Sequence, residues 1–196
     1  MIILASASTA RRRMMEQAGV ALTVDVAAVD EDAVKQGLRQ ETANPARAAE
    51  TLAELKAVRV SARHPGQLVI GADQILDYSG TWFDKPRSLE EARTHLLTLR
   101  HRTHRLTSAV VAVRDGQRLW YHTEPALMTM RNFSDVFLDD YLTALGDSVL
   151  SAVGAYHLEG LGAQLFLQVE GDFFTVLGLP LLPLLDFLRE NGELRP

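Results

Sequence analysis

Short apolar runs alternate with helical stretches along the whole of this chain, and that alternation is what most constrains its fold. Strand-like runs fall at 2–5, 22–26, 67–71, 103–114, 118–130, 163–169 and 173–176, with helical stretches at 10–18, 45–63, 88–99, 134–145 and 180–191. Interleaved strands and helices predict a mixed, twisted α/β sheet flanked by helices, with a central cleft and ligands near the carboxyl ends of strands. Arg114-Asp115-Gly116-Gln117 predicts a tight hairpin between two of the strands. Residues 32–46, polar and broken by Gly37 and Pro45, read as a loose loop over a site. At 196 residues the chain suits one domain over 1–196, or at most two closely packed lobes.

The stretch from Leu4 to Arg13, LASASTARRR, carries an electrostatic conflict. Met1–Leu4 is a buried strand in this reading and Ala10–Ala18 a helix, which leaves Ser6, Ala7, Ser8 and Thr9 at the turn and makes Ser8 or Thr9 the N-cap. A helix start carries unpaired N–H groups and partial positive charge, so acidic residues belong there and Arg11, Arg12 and Arg13 do not. A bound phosphate resolves the conflict. A helix with a merely basic exposed face, its serines ordinary caps, fits the same string.

The formal net charge of −5 argues against a nucleic-acid polymer as partner, so any phosphate handling is local, and small phosphorylated ligands suit the chain better. With no cysteine, disulfides, thiolate catalysis and cysteine-ligated zinc are excluded, and a cytoplasmic location is the expectation. The N-terminal apolar run is too short for a signal-peptide core, and the run Val176–Leu188 is interrupted by Gly178, two prolines and Asp186, so no membrane association is expected.

Candidate chemistry begins with LVIGADQIL, residues 68–76, a strand ending at Gly71 that presents Asp73 and Gln74. A carboxylate there can hold a divalent cation or take a proton from water, and Gly71 permits close backbone approach; an Asx-type turn is the structural alternative. In WFDKPRSLEEA, Ser88 and Glu91 mark a helix cap, while Lys85 is either solvated or a phosphate cation. Lys56 lies in a helix made amphipathic by Leu52, Leu55 and Val58, where a solvated lysine is the default. Asp30, Glu31 and Asp32 read as a solvated loop, or as a source of metal ligands in which Glu31 joins Asp73. The six histidines lack metal-ligand spacing, so His104 and the others read as ordinary polar residues. Near the C-terminus, Tyr156, Glu159, Phe173 and Phe174 can form a base pocket, although core packing suits the two phenylalanines better.

Taken in order, LASAS with its arginines, Asp30-Glu31, LAELKA, IGADQ, DKP, GAY with EG, and GDFFTVLGLPL resemble the Maf family of nucleoside triphosphate pyrophosphatases over nearly the whole chain. The resemblance implies an α/β fold similar to the inosine triphosphatases. It implies hydrolysis of a nucleoside triphosphate between the α- and β-phosphates, with a divalent cation such as Mg²⁺, Mn²⁺ or Co²⁺. Carried over, Asp73 is the general base, Glu31 (or Asp30) an acidic metal partner beside it, and Ser6, Ser8, Arg11 or Arg12, Lys56 and Lys85 the phosphate-binding set. A homodimer also fits this family.

Four positions depart from the family pattern: Thr9-Ala10 replace a proline and an arginine, Asp84 stands where glycine usually precedes Lys85-Pro86, and Ser151 replaces a common lysine. Gln74 and Glu159 resemble the 7-methyl-GTP branch rather than the branch preferring dTTP and UTP. A carboxylate suits guanine's N1–H and exocyclic amine, and an aromatic suits a cationic methylated ring. The family's link with septum formation supplies the alternative, a non-catalytic nucleotide-binding regulator of cell division.

Overall fold

A computed structural model describes residues 1–41 and 44–195. Among these residues seven strands form one sheet: β1 (Ile2–Leu4), β2 (Leu22–Val24), β3 (Leu68–Tyr78), β4 (Thr81–Phe83), β5 (Thr103–Arg114), β6 (Gln117–Met130) and β7 (Phe166–Glu170). Their order is β2–β1–β3–β5–β6–β7, with β4 also pairing β3. β1 pairs in parallel on both sides, Ile2 opposite Leu22 and Leu68, which is why its three residues are all apolar and all buried. β4 and β7 run antiparallel to their partners, so the sheet is mixed as expected. The hairpin also stands where it was read: β5 ends at Arg114, β6 begins at Gln117, and Asp115 and Gly116 between them have φ of 51° and 75°, the left-handed pair that a two-residue turn demands.

The helices are α1 (Thr9–Gln17), α2 (Glu31–Gln40), α3 (Pro45–Ser61), α4 (Leu89–Leu99), α5 (Asp135–Leu145), α6 (Phe173–Val176) and α7 (Leu181–Glu190). Most start on a side-chain cap. The hydroxyls of Ser8, Ser88 and Ser134 and the side chains of Asn44 and Asp172 each accept a bond from a backbone N–H three residues on. At α4 the cap is reciprocal but displaced, because Glu91 accepts from the backbone of Arg87 rather than from that of Ser88.

The structure corrects the reading of the sequence at four places. Residues 32–46 are not one loop: Glu31–Gln40 is helical, capped by the Asp30 carboxylate, while Thr42 and Ala43 lie outside the described residues. The run at 173–176 is the short helix α6 rather than a strand, and β7 begins at Phe166 after a 3₁₀ turn over Leu161–Leu165. The strand expected to stop at Gly71 continues to Tyr78, so Asp73 and Gln74 lie inside β3 and the Asx-turn alternative falls away. On α3 the buried stripe is Ala48, Ala49, Leu52, Ala53, Ala57 and Val60, a face rotated away from Leu55 and Val58, which are only half-buried.

By its contacts the chain forms two compact units, Met1–Gln74 with Thr107–Pro125 and Asp172–Pro196, and Ile75–Leu106 with Ala126–Gly171. The first has a core built from β1, the start of β3 and the helices α1 and α7, including Ile2, Leu4, Met15, Ile70, Val110, Leu184 and Leu188. Within it α3 lies so close on β3 that a Cβ at Gly71 would meet the Ala53 carbonyl oxygen at 2.0 Å and the Ala57 Cβ at 2.9 Å. The alanine stripe and Gly71 are two halves of one close approach, and it brings Lys56 on α3 beside β3. Gly71→Ala is expected to destabilise the fold by about 3 kcal/mol or more, because the obstructing atom is backbone and cannot turn aside. A urea midpoint within error of the wild type would overturn this packing account.

The second unit buries His104 at 2% exposure, its Nε2 2.7 Å from the Tyr156 hydroxyl, so His104 is a core residue and not an ordinary polar one. The Tyr141 hydroxyl donates to the Ala155 carbonyl nearby, and burial raises both tyrosines above their usual range. Burial also pushes His104 down to about 4. The unfolded chain then takes a proton below about pH 6.5 that the folded chain refuses, so this contribution to stability is intact above that pH and is lost as pH falls toward 4. The full loss is about 3 kcal/mol. Replacing His104 with Gln is expected to flatten the wild-type slope of unfolding free energy between pH 6.5 and 4, read from urea titrations at each pH; parallel slopes would refute the assignment.

Candidate active site

Polar groups in the first unit converge on Asp73, which is 5% exposed on the buried strand β3. A carboxylate inside a sheet is costly unless a cation answers it. Lys56 does so, its Nζ 2.6 Å from Asp73 Oδ1 and 2.7 Å from Glu31 Oε1, with only 11% of its side chain exposed. The default reading of a solvated lysine therefore fails, and the ammonium instead bridges two carboxylates from different elements. Glu31 reaches it from the first turn of α2, where the Asp30 cap sets the helix and an acid suits the dipole. Burial raises the Glu31 carboxyl, but Lys56, by charge and hydrogen bond, with Lys35 and Arg11 outweighs it and leaves Glu31 below its usual range. Asp73 Oδ2 is buried and has no hydrogen-bond partner among the described residues.

Arg11 is the second cation. It enters from the first turn of α1, where Nε donates to the Gly178 carbonyl at 2.8 Å and Nη1 to the Ala72 carbonyl at 2.8 Å and Ser6 Oγ at 3.2 Å. Burial pulls its pKa down, opposed by the charges of Asp73 and Glu31. Ser6, buried, also accepts from the Ser8 backbone N–H at 3.3 Å, and Ser8, the N-cap, accepts from the backbone of Arg11 at 3.3 Å. Gly178 has φ +99°, a conformation that strains any other residue, and a Cβ there would press on Arg11 Nη2 at 3.3 Å. Arg12 points elsewhere: it is exposed and 3.6 Å from Glu16 one turn along, and Arg13 is exposed too. One arginine of the three is turned inward.

Gln74, next to Asp73, is held by its amide. Its Nε2 lies 3.0 Å from Ser108 Oγ, 3.2 Å from the Thr175 carbonyl and 3.1 Å from the Val176 carbonyl, while Ser108 donates to the Thr175 carbonyl at 2.8 Å. Thr175, fully buried, donates from its hydroxyl to Glu124 at 3.0 Å. The segment from α6 to Gly178 is thus tied at one end to Gln74 and at the other to Arg11. Phe173 at its start is 50% exposed and Phe174 is packed partly against the core, so only the second fits the expected packing role.

Lys85 and Glu159 belong to the second unit. Lys85 follows β4, and Glu159 is exposed with His157 3.9 Å away. Tyr156 is not available to a base, being 5% exposed and bonded to His104. No group of three or more His, Asp or Glu side chains suited to a metal occurs among the described residues. The residues that reading the sequence missed are Ser108 and Thr175, together with the carbonyls of Ala72 and Gly178. Carbonyls leave no mark in a sequence; Gly178 was visible only as a turn residue.

On this mixed α/β sheet Asp73, Glu31, Lys56 and Arg11 form a charge-balanced cluster beside a serine-capped helix start. Residues 1–191 match the family model described as Maf-like protein, and the chain belongs to that family. It is 72% identical over 99% of its length and 100% of the relative's to a protein of Paramagnetospirillum magneticum named nucleoside triphosphate pyrophosphatase. A relative in Granulibacter bethesdensis with the same name is 53% identical, with 98% of each chain covered. One in Rhizobium etli named 7-methyl-GTP pyrophosphatase is 48% identical over 98% of this chain and 97% of its own.

The two cationic roles separate by mutation. Arg11→Lys is expected to lower stability by about 2–3 kcal/mol, because a lysine cannot serve three acceptors set for a fork-shaped guanidinium. Arg12→Ala changes it by less than about 0.5 kcal/mol, as exposed pairs do. Thermal unfolding of both variants checks the contrast, and equal losses would refute it.

Proposed function

We propose that this chain hydrolyses nucleoside triphosphates to the monophosphate and pyrophosphate, with Asp73 as general base. The observation that carries the reading is the buried Asp73 carboxylate, one oxygen held by Lys56 and the other without a partner among the described residues. Its full-length relatives of that name support the same reading.

Asp73 Oδ2 takes a proton from a water that attacks the α-phosphorus, the bond from that phosphorus to the bridging oxygen breaks, and pyrophosphate leaves. Attack on so negative a group needs positive charge around it, which Arg11 and Lys56 supply, Arg11 through Nη2, which takes no part in its three bonds to the protein. Ser6 and Ser8 lie at the start of α1, where backbone N–H groups add to this. The site's chemistry fits a divalent cation such as Mg²⁺ or Mn²⁺: two carboxylates are hard oxygen donors, and one oxygen is buried and unpaired among the described residues. Glu31 and Asp73 are the residues that would hold it, and when bound it would neutralise phosphate charge and make water more acidic. Lys85 as a further phosphate cation and Glu159 as a base-reading carboxylate rest on the family resemblance alone.

For the base, 7-methyl-GTP is favoured over dTTP or UTP, supported by the relatives of that name at 48% and 47% identity. Gln74 enters this preference indirectly, since its amide holds the backbone of α6 and thereby the exposed Phe173. Ordinary and methylated triphosphates are each to be incubated with protein and Mg²⁺ or Mn²⁺, and pyrophosphate and monophosphate quantified. Pyrophosphate release is expected, strongest from 7-methyl-GTP, and lost at least about a hundredfold in Asp73→Asn with nucleotide binding retained. Orthophosphate as the product, or no release from any nucleotide, would overturn the reaction; preference for dTTP or UTP would overturn only the base assignment.

A further inference from the structure

Lys56 Nζ lies between Asp73 Oδ1 and Glu31 Oε1, at 2.6 and 2.7 Å, which places a positive charge between the two carboxylates that a divalent cation would use. The arrangement is built rather than incidental. Lys56 is presented by α3, the helix locked onto β3 by the Gly71 contact, and 11% of its side chain is exposed. Asp73 is 95% buried by its 5% exposure, and its second oxygen is unpartnered among the described residues. A lysine and a divalent cation cannot both stand between these oxygens without repulsion in a poorly screened setting.

We propose that Lys56 is an internal counter-ion occupying the cation position between Glu31 and Asp73, so that metal enters only as nucleotide phosphate draws the ammonium away. The inference rests on the metal-assisted reading given above. Its physical content is an exchange of partners. With no ligand, the lysine neutralises carboxylates that would otherwise be stranded by burial, at the cost of blocking free metal. A triphosphate gives the ammonium anionic oxygens to turn to, which releases both carboxylates for the cation that travels with the nucleotide. Arg11 cannot make this exchange, because Nε and Nη1 are bound to the carbonyls of Gly178 and Ala72 and to Ser6. The two cations thus differ in kind, one fixed and one exchangeable. Metal and nucleotide must then favour each other's binding by the same factor.

The test is Mn²⁺ binding to the intact protein, followed by the electron paramagnetic resonance of free Mn²⁺, with and without a nucleoside triphosphate whose α,β-bridging oxygen is replaced by methylene. For the wild type, Mn²⁺ alone is expected to bind weakly, and the saturating analogue to tighten it by at least about tenfold beyond the analogue's own affinity for Mn²⁺ in buffer. Lys56→Met is expected to bind Mn²⁺ alone at least about tenfold more tightly than the wild type, and Lys56→Met with Asp73→Asn to lose that gain. Mn²⁺ alone binding the wild type as tightly as the variant would overturn the proposal, as would an analogue that leaves Mn²⁺ affinity unchanged. Should Lys56→Met fail to fold, the wild-type comparison with and without analogue decides by itself. Absence of pyrophosphate release from every triphosphate, with Mn²⁺ bound normally, would instead count against the reaction on which the inference rests.

Discussion

The bridge from Lys56 to Asp73 and Glu31 is the interaction on which the first unit's architecture turns. A carboxylate at 5% exposure on a central strand is tolerable only beside a cation, and a lysine can deliver that cation only if its helix lies against the strand. The alanine stripe of α3 and the missing side chain at Gly71 allow that approach. Residues that look like packing choices, Ala53 and Ala57 among them, are therefore also electrostatic ones, since bulk there would withdraw the ammonium from its partners. Glu31 then fixes α2 to the same charge.

Around this bridge the polar groups follow a common economy. Arg11 and Gln74 each spend their donors on backbone carbonyls of the segment between Thr175 and Gly178, with Ser108 as a third tie. A short helix of four residues has little stability of its own, so these bonds, and the Asp172 cap, are what hold it in place. The aromatic residue left exposed at its start sits on a segment held by side chains from α1, β3 and β5. In the second unit, burial has the opposite outcome: His104 and the two tyrosines are kept neutral and serve packing, so strong perturbation of a group is not by itself a sign of chemistry.

Local signals were legible and distant ones were not. Ser8, Ser88 and the Asp115-Gly116 turn could be read because a cap or a two-residue hairpin is decided by neighbours in the chain. The helix α2 was hidden because its residues are mostly polar and include Gly37, which signal a loop, and because it buries only Lys35 and Leu38. The continuation of β3 past Gly71 was hidden for a related reason, since Asp73 and Gln74 are poor strand formers held there by Lys56 and by Ser108. Family resemblance pointed to Lys56 when its own helix pattern pointed to solvent; the pairing that explains it joins three elements and has no local trace.

The bond from Arg11 to the Gly178 carbonyl spans 167 residues of chain. During synthesis, β1, α1 and β3 leave the ribosome long before the segment that completes this clamp, so the arginine at the helix start spends much of translation with one of its three acceptors still unmade. Folding of the first unit is for that reason a late event, closed by contacts between the opening and the final fifth of the chain. The helix end that carries Arg11 therefore acquires its fixed geometry only as the segment leading into α7 arrives.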